Sequence, residues 1–423
     1  MEQRDWLRVV GVNYNDLRGR AFNGYDLHLS LNERDDVSAI QYVVDKYSDT
    51  PSVKAFDKDE VIHQELRYLE RKYSIPQLLM PYGRQLLQEE DFQQADIVHL
   101  QILHVDTISL LDLPEIMARD NVVWTIHDPW IVTGNCLHPL QCGKWRTGCR
   151  SCGNLLTDFF PMKRDYAAQM WSVKQKILAG VNPYIVIASQ FTENYIRISP
   201  LTAHWNRIYH IPFGIKDRFL QDFDPRESKA RLQIAHDCLT VGCRGAKDLI
   251  KGFPYILEAL EQLNTSIPIQ LLIVGEHVEL PEGLRQRHRC VEFTWLQEDG
   301  MLDFYRAADI FIMPSLAETF GLMAIEAMAC QTAVICFQAT VLEEVTGAPD
   351  YGIAVEYKSA EGIAAALTRL LDDPEELERR KQSGRQFAAQ TYPYNLYVQR
   401  HLQLYQEIKR REHGQNTHYR RTL

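Results

Sequence analysis

Twelve short runs rich in Val, Ile and Leu recur along this chain, and most are apolar at nearly every position rather than at every second one. They lie at residues 7–13, 38–44, 96–101, 122–127, 184–189 and 207–212, then at 238–243, 269–275, 290–295, 310–315, 332–337 and 352–357. A strand that is apolar on both faces needs cover on both faces, which is the condition of a parallel sheet flanked by helices. Amphipathic stretches stand between the runs, among them 252–263, 359–371 and 374–389, with an Asp-Asp-Pro turn between the last two. Strand alternating with helix predicts an α/β chain with right-handed crossovers. Two sets of six runs predict two doubly wound, Rossmann-like domains, with ligands held in a cleft at the carboxyl ends of the strands. Strand character fades across 216–235, so the expected domains are 1–212 and 213–393. A closing segment, 394–423, holds a last helix expected to pack back on the first domain.

Composition removes several classes of function. The chain has 423 residues, 46 Lys and Arg against 56 Asp and Glu, and a net charge of −10. Such an acidic balance argues against coating nucleic acid, and no nucleic-acid partner is expected. No stretch reaches the roughly 18 uncharged apolar residues of a membrane span. The first residues lack the basic start and apolar run of a signal peptide, so the expected location is the cytoplasm. The chain ends in Lys409, Arg410 and Arg411, with Arg420 and Arg421 beyond. Two readings of that end stay open: a solvated tail, or a peripheral contact with the anionic inner face of the cytoplasmic membrane.

The most informative stretch runs from Met313 to Ala329. A predicted strand ends at Pro314, and a loop then opens a helix near Phe320, Gly321 and Leu322. The free N–H groups of such a helix start form an anion site, and a glycine lets a phosphate come close. Glu318 and Glu326 are spaced as Glu-x7-Glu, one in the loop and one about a turn into the helix. Carboxylates on both sides of an anion site suit a ligand with hydroxyls on both sides of a diphosphate, such as a nucleotide sugar. The alternative is a helix-start acid and a surface acid.

These residues, with Pro314, Ser315, Ala327, Met328 and Ala329, make the chain resemble the retaining glycosyltransferases of family four, which have the GT-B fold. The resemblance continues in Tyr209-His-Ile-Pro-Phe-Gly-Ile, in Ile273-Val-Gly-Glu, in Tyr305-Arg-Ala-Ala-Asp, and in Glu344-Val-Thr-Gly. Asp16-Leu-Arg-Gly-Arg-Ala-Phe-Asn-Gly-Tyr and Trp124-Thr-Ile-His-Asp-Pro-Trp are similar to a subgroup from bacterial surface-polysaccharide gene clusters. The resemblance implies retaining transfer of a sugar from a nucleotide-sugar donor, with a UDP- or GDP-sugar expected, to a saccharide or lipid-linked saccharide. It implies that Glu318 binds donor-sugar hydroxyls and Glu326 the ribose. Arg244 and Lys251 would hold the diphosphate, with Lys247 a competitor for the second place. Phe320, Gly321 and Leu322 would form the donor helix start. His127 would lie beside the donor sugar, and Asp128 would orient its ring or bind acceptor. Gly19, Asn23 and Gly24 would form a loop on the acceptor side. The departing diphosphate would help to deprotonate the acceptor, without a catalytic divalent metal. Asp57-Lys-Asp59 and Asp222-Phe-Asp224 spell Asp-x-Asp but end no predicted strand, so both read as surface charge. Phe213, Lys216, Gln331 and Ala333 depart from the family's usual Asn, Asp, Gly and Pro.

Four of the nine cysteines fall within one short stretch: Cys136, Cys142, Cys149 and Cys152. Their spacing, C-x5-C-x6-C-x2-C, suits a structural zinc held by four thiolates. His138 is an alternative ligand, and a redox pair or isolated thiols are the alternatives to a metal. The expected insertion, about 130–171, would brace the loop after His127. Two other functions are alternatives: a nucleotide-sugar epimerase on the same fold, and a zinc-ribbon binding protein.

Overall fold

The computed structural model describes residues 6–156 and 160–412. The chain divides into two compact units, Met1–Pro212 with Val398–Leu423, and Phe213–Tyr397. The first contains seven parallel strands: β1 (Leu7–Asn15), β2 (Val37–Asp45), β3 (Val53–Ala55), β4 (Ile97–Leu100), β5 (Val122–Thr125), β6 (Tyr184–Ile187) and β7 (Ile208–His210). Their order is β3-β2-β1-β4-β5-β6-β7. The second contains six parallel strands: β8 (Leu239–Gly245), β9 (Ile269–Gly275), β10 (Arg289–Phe293), β11 (Ile310–Met313), β12 (Ala333–Phe337) and β13 (Ile353–Val355), in the order β10-β9-β8-β11-β12-β13. Each predicted run overlaps one strand. The central strands are buried throughout, as their unbroken apolar sequences require. β3 escaped the sequence reading because Val-Lys-Ala is too short and too polar to register, and it sits at a sheet edge with two of its three residues exposed.

Helix starts follow the chain's own capping residues. The side chains of Asp59, Ser189, Ser359 and Asp373 each accept a hydrogen bond from an N–H of the first turn. The second acid of each Asp-x-Asp triplet is such a cap: Asp59 opens Glu60–Tyr73, and Asp224 opens Pro225–Arg231. The first core gathers Val10, Val12, Val98, Trp124, Ile187 and Trp205, and the second Val241, Leu271, Ile312, Ile335, Phe337 and Leu367.

The helix Tyr394–Glu412 brings Tyr405 and Lys409 into the first unit. Tyr405 is fully buried, and Lys409 donates to the Trp6 carbonyl at 2.9 Å and pairs with Asp96 at 3.2 Å. One of the three cations expected to form a solvated or membrane-facing end is therefore turned inward, while Arg410 and Arg411 are exposed. Arg420 and Arg421 lie outside the described residues. Among the described residues no helix is long and apolar enough to cross a membrane.

Candidate functional site

In the second unit, β8 and β11 are neighbours, and the segments leaving their carboxyl ends meet. The Leu316 N–H donates to the Ile250 carbonyl at 2.7 Å. Gly252 makes the approach possible: it has φ 74°, and a Cβ there would lie 1.9 Å from the Pro314 carbonyl oxygen. This brings Lys251 onto the loop that carries Glu318. Lys251 Nζ lies 2.7 Å from Glu318 Oε1, and Ser315 Oγ donates to the same oxygen at 3.1 Å. Arg244, at the end of β8, lines one small cavity together with Lys251, Met313, Pro314, Ser315 and Met323. Its guanidinium carbon stands 4.9 Å from the Trp295 ring centre, and its Nε is buried without a hydrogen-bond partner. A buried guanidinium nitrogen without an acceptor is a group that an anion can satisfy. Lys247 is exposed and is not among those lining residues.

Helix Leu322–Ala329 starts at Gly321, which has φ 98°. Phe320 is 3% exposed, and its ring packs edge-on against Phe213 and Tyr392, at 5.4 and 5.5 Å between ring centres. Its side chain therefore supports the helix start from behind and is not placed to touch a ligand. The same contact accounts for Phe213, whose ring fills an aromatic cluster. Gln331 takes the left-handed conformation (φ 56°) that a glycine would adopt more cheaply. Lys216 pairs with Glu298 at 3.2 Å. Glu326 accepts from the Tyr305 hydroxyl at 3.0 Å. Burial pushes the Glu326 carboxyl up to about 7, against the opposing pull of that hydrogen bond. Nothing in the sequence marks Tyr305 as a site residue, since a tyrosine inside an amphipathic helix reads as core.

In the first unit the loop after β1 is tightly braced. Phe22 and Asn23 N–H groups both donate to the Gly19 carbonyl at 2.9 Å. Asn23 is 1% exposed, and its amide donates to the carbonyls of Asn15, Asp16 and Arg18 at 2.9–3.0 Å. It holds the loop together rather than facing a ligand. His127 follows β5, and its Nε2 lies 2.9 Å from Gln101 Oε1. Burial pushes His127 down to about 4, so the ring is neutral near pH 7. Asp128 Oδ1 accepts from the Trp130 N–H at 2.9 Å, and its Oδ2 lies 2.8 Å from His104 Nε2. Burial raises the Asp128 carboxyl, but His104 and these hydrogen bonds outweigh it and hold the group below its ordinary value. Gln101 and His104 escaped the sequence reading because they carry no motif; only their place just after β4 hints at a site.

The cysteine stretch contains 3-10 turns at Pro129–Val132 and Lys144–Arg146 and is tied to helix Ala167–Leu178 by a buried lysine. Lys174 donates to the carbonyls of Trp130 at 2.6 Å and Thr133 at 2.9 Å, and lies 3.6 Å from the Trp130 ring centre. Burial pushes it down to about 7. Cys149 Sγ accepts from the Gly134 N–H at 3.2 Å. Burial, and then the neighbouring thiols of Cys152, Cys149 and Cys142, push Cys136 up to about 11. The four thiols thus share one neighbourhood, and their chemistry suits zinc. Among the described residues, however, no three His, Cys, Asp or Glu side chains converge closely enough to hold an ion, and all nine cysteines are free thiols.

A model of the glycosyl transferases group 1 matches residues 226–387, which lie within the second unit. The second unit belongs to that family. D-inositol 3-phosphate glycosyltransferase 1 of Catenulispora acidiphila is 27% identical over 234 residues, covering 50% of this chain and 56% of that protein. The chain spans little more than half the length of the curated relatives matched first. Two solved structures share the fold of nearly the whole chain. WaaG, a glycosyltransferase involved in lipopolysaccharide biosynthesis, has a TM-score of 0.65 at 17% identity, covering 95% of this chain and 99% of that one. Alr3699/HepE of Anabaena, solved in complex with UDP and glucose, has a TM-score of 0.63 at 14% identity, covering 95% and 100%. The fold is GT-B, and the group 1 domain carries Arg244, Lys251, Glu318 and Glu326.

Proposed function

We propose that this protein is a retaining glycosyltransferase that takes a sugar from a UDP- or GDP-sugar and passes it to a saccharide or lipid-linked saccharide in bacterial surface-polysaccharide synthesis. The observation that carries this reading is the shared cavity of Arg244 and Lys251 at the carboxyl ends of β8 and β11, with Arg244 Nε unpartnered and Lys251 paired to Glu318. Guanidinium and ammonium together suit a diphosphate, the first by directed hydrogen bonds and the second as a point charge. They would stabilise the charge that grows on the leaving diphosphate. Glu318 would take donor-sugar hydroxyls and Glu326 the ribose. No divalent metal is assigned to the chemistry. In the first unit the candidate residues are His127 and Asp128. The UDP complex of Alr3699/HepE and the lipopolysaccharide role of WaaG support the choice of donor and acceptor classes.

Cys136, Cys142, Cys149 and Cys152 would hold a structural zinc, whose binding would have to draw them together.

The test is a thermal-shift screen with UDP, GDP, ADP, CMP and dTDP, followed by transfer assays with sugars of the nucleotide that binds. A ligand at about 100 times its Kd adds roughly 2.7 kcal/mol to the native state. A shift with UDP or GDP is expected, and its loss in Glu326→Ala. Binding of none of the five, in protein that unfolds cooperatively, would overturn the reading.

A further inference from the structure

The guanidinium of Arg244 is held by a ring and not by an acid. Arg218, Arg231 and Arg285, in the same unit, each meet a carboxylate: Glu298 at 3.3 Å, Asp303 at 2.7 Å and Glu292 at 2.6 Å. Arg244 has no such partner among the described residues, and its buried Nε is without an acceptor. Its guanidinium carbon instead stands over the Trp295 ring, 4.9 Å from the centre. Trp295 lies two residues past the end of β10. Five of the seven tryptophans are buried, and Trp295 is the most exposed, at 55%. Core packing therefore does not account for an indole at this place.

The sheet brings the two side chains together. Strand register sets Arg244, Val274 and Phe293 in one row across β8, β9 and β10. Arg244 thus reaches Trp295 over the end of β9, which closes on Gly275. A Cβ at Gly275 would stand 3.7 Å from Arg244 Cγ and 2.7 Å from the Gly245 carbonyl oxygen, and its φ is 126°. The arginine stem runs directly over a residue without a side chain.

We propose that Trp295 is a positioning residue that keeps the Arg244 guanidinium ordered to receive a diphosphate. The inference rests on the proposed donor site. A ring beneath the cation holds the charge without a hydrogen-bond acceptor, so the guanidinium donors stay available. A carboxylate in the same place would take two of those donors and neutralise the charge. Arg244 is then charged, ordered and still able to donate. Order matters because binding otherwise has to immobilise a long side chain, which costs affinity severalfold. The ring removes that cost before the ligand arrives.

The test is calorimetric titration of the full chain with inorganic pyrophosphate, which carries no base, and with UDP or GDP, whichever wild type binds. Trp295→Leu should weaken both ligands alike, by about fivefold, the order expected when one long side chain must be ordered on binding. Trp295→Phe keeps an aromatic face and should stay within about twofold of wild type. In Arg244→Ala the leucine substitution should have no further effect, which separates positioning from a general structural role. If the leucine variant does not fold, Trp295→Gln takes its place. Any of four results overturns the inference: pyrophosphate binding unchanged without the ring; a loss confined to the nucleotide, which would make the ring a platform for the base; a phenylalanine no better than leucine; or a loss of the same size in Arg244→Ala. If wild type binds pyrophosphate but no nucleotide, it is the proposed function that fails, and pyrophosphate still decides the role of Trp295. If wild type binds neither, both readings fail.

Discussion

Glu326→Gln should make the second unit more stable, with an advantage that opens as pH rises from about 4.5 to about 7. Burial lifts the Glu326 carboxyl from 4.5 to about 7. The fold therefore favours the protonated acid. That favour is fully present below the unfolded value of 4.5 and is lost as pH rises through about 7. The ionised carboxylate then costs the fold on the order of 3 kcal/mol, the conversion of the rise from 4.5 to about 7. A glutamine stays neutral and still accepts from the Tyr305 hydroxyl, which lies 3.0 Å from Glu326 now. The variant's advantage should be small at pH 5 and larger by roughly 2 kcal/mol at pH 8, several degrees in a domain of this size. Urea titration of the second unit's transition at pH 5, 6, 7 and 8 measures the gap. Glu70 in the first unit is also lifted to about 7 by burial, but it is present in both proteins and cancels. A gap that is the same at pH 5 and pH 8, or a variant that is weaker at pH 8, would refute the reasoning. A ribose hydroxyl donates more strongly to the ionised carboxylate, so UDP should bind wild type more tightly at pH 8 than at pH 6, while the variant shows little dependence.

Arg244→Ala and Lys251→Ala should each weaken UDP or GDP binding by about tenfold or more, while Lys247→Ala should stay within about twofold; calorimetric titration separates them. Gly252→Ala places a Cβ where the Pro314 carbonyl now stands and adds a strained φ, so the second unit should lose a few kcal/mol or fail to fold, as denaturant titration will show. Protein purified without added metal should carry about one zinc per chain, and replacing Cys149 with Ser should abolish it; metal analysis finding none in folded protein would leave the thiols as packing groups.

Much of this was legible in one dimension. Residues 310–313 and 269–275 are apolar at nearly every position, and such strands have few places to go except the interior of a parallel sheet. Caps such as Asp59 and Ser359 act within one helical turn, so they too are local facts. Glu318 and Glu326 stand out because both belong to one loop and one helix, where spacing along the chain approximates spacing in space.

What sequence could not decide are the contacts between distant segments. Lys251 meets Glu318 across 67 residues, and Tyr305 meets Glu326 across 21. Phe320 looked like part of a ligand site beside Gly321, but the helix turns its ring into the aromatic cluster with Phe213 and Tyr392. Asn23 looked like a loop residue facing acceptor, but three carbonyls take its amide. His127 was found because it ends a strand, whereas Gln101 meets its ring only once β4 lies beside β5. Strand, helix and cap are decided by neighbours in sequence. The protonation state of His127 and the charge on Glu326 are decided by burial and by partners, and these exist only when the chain is folded.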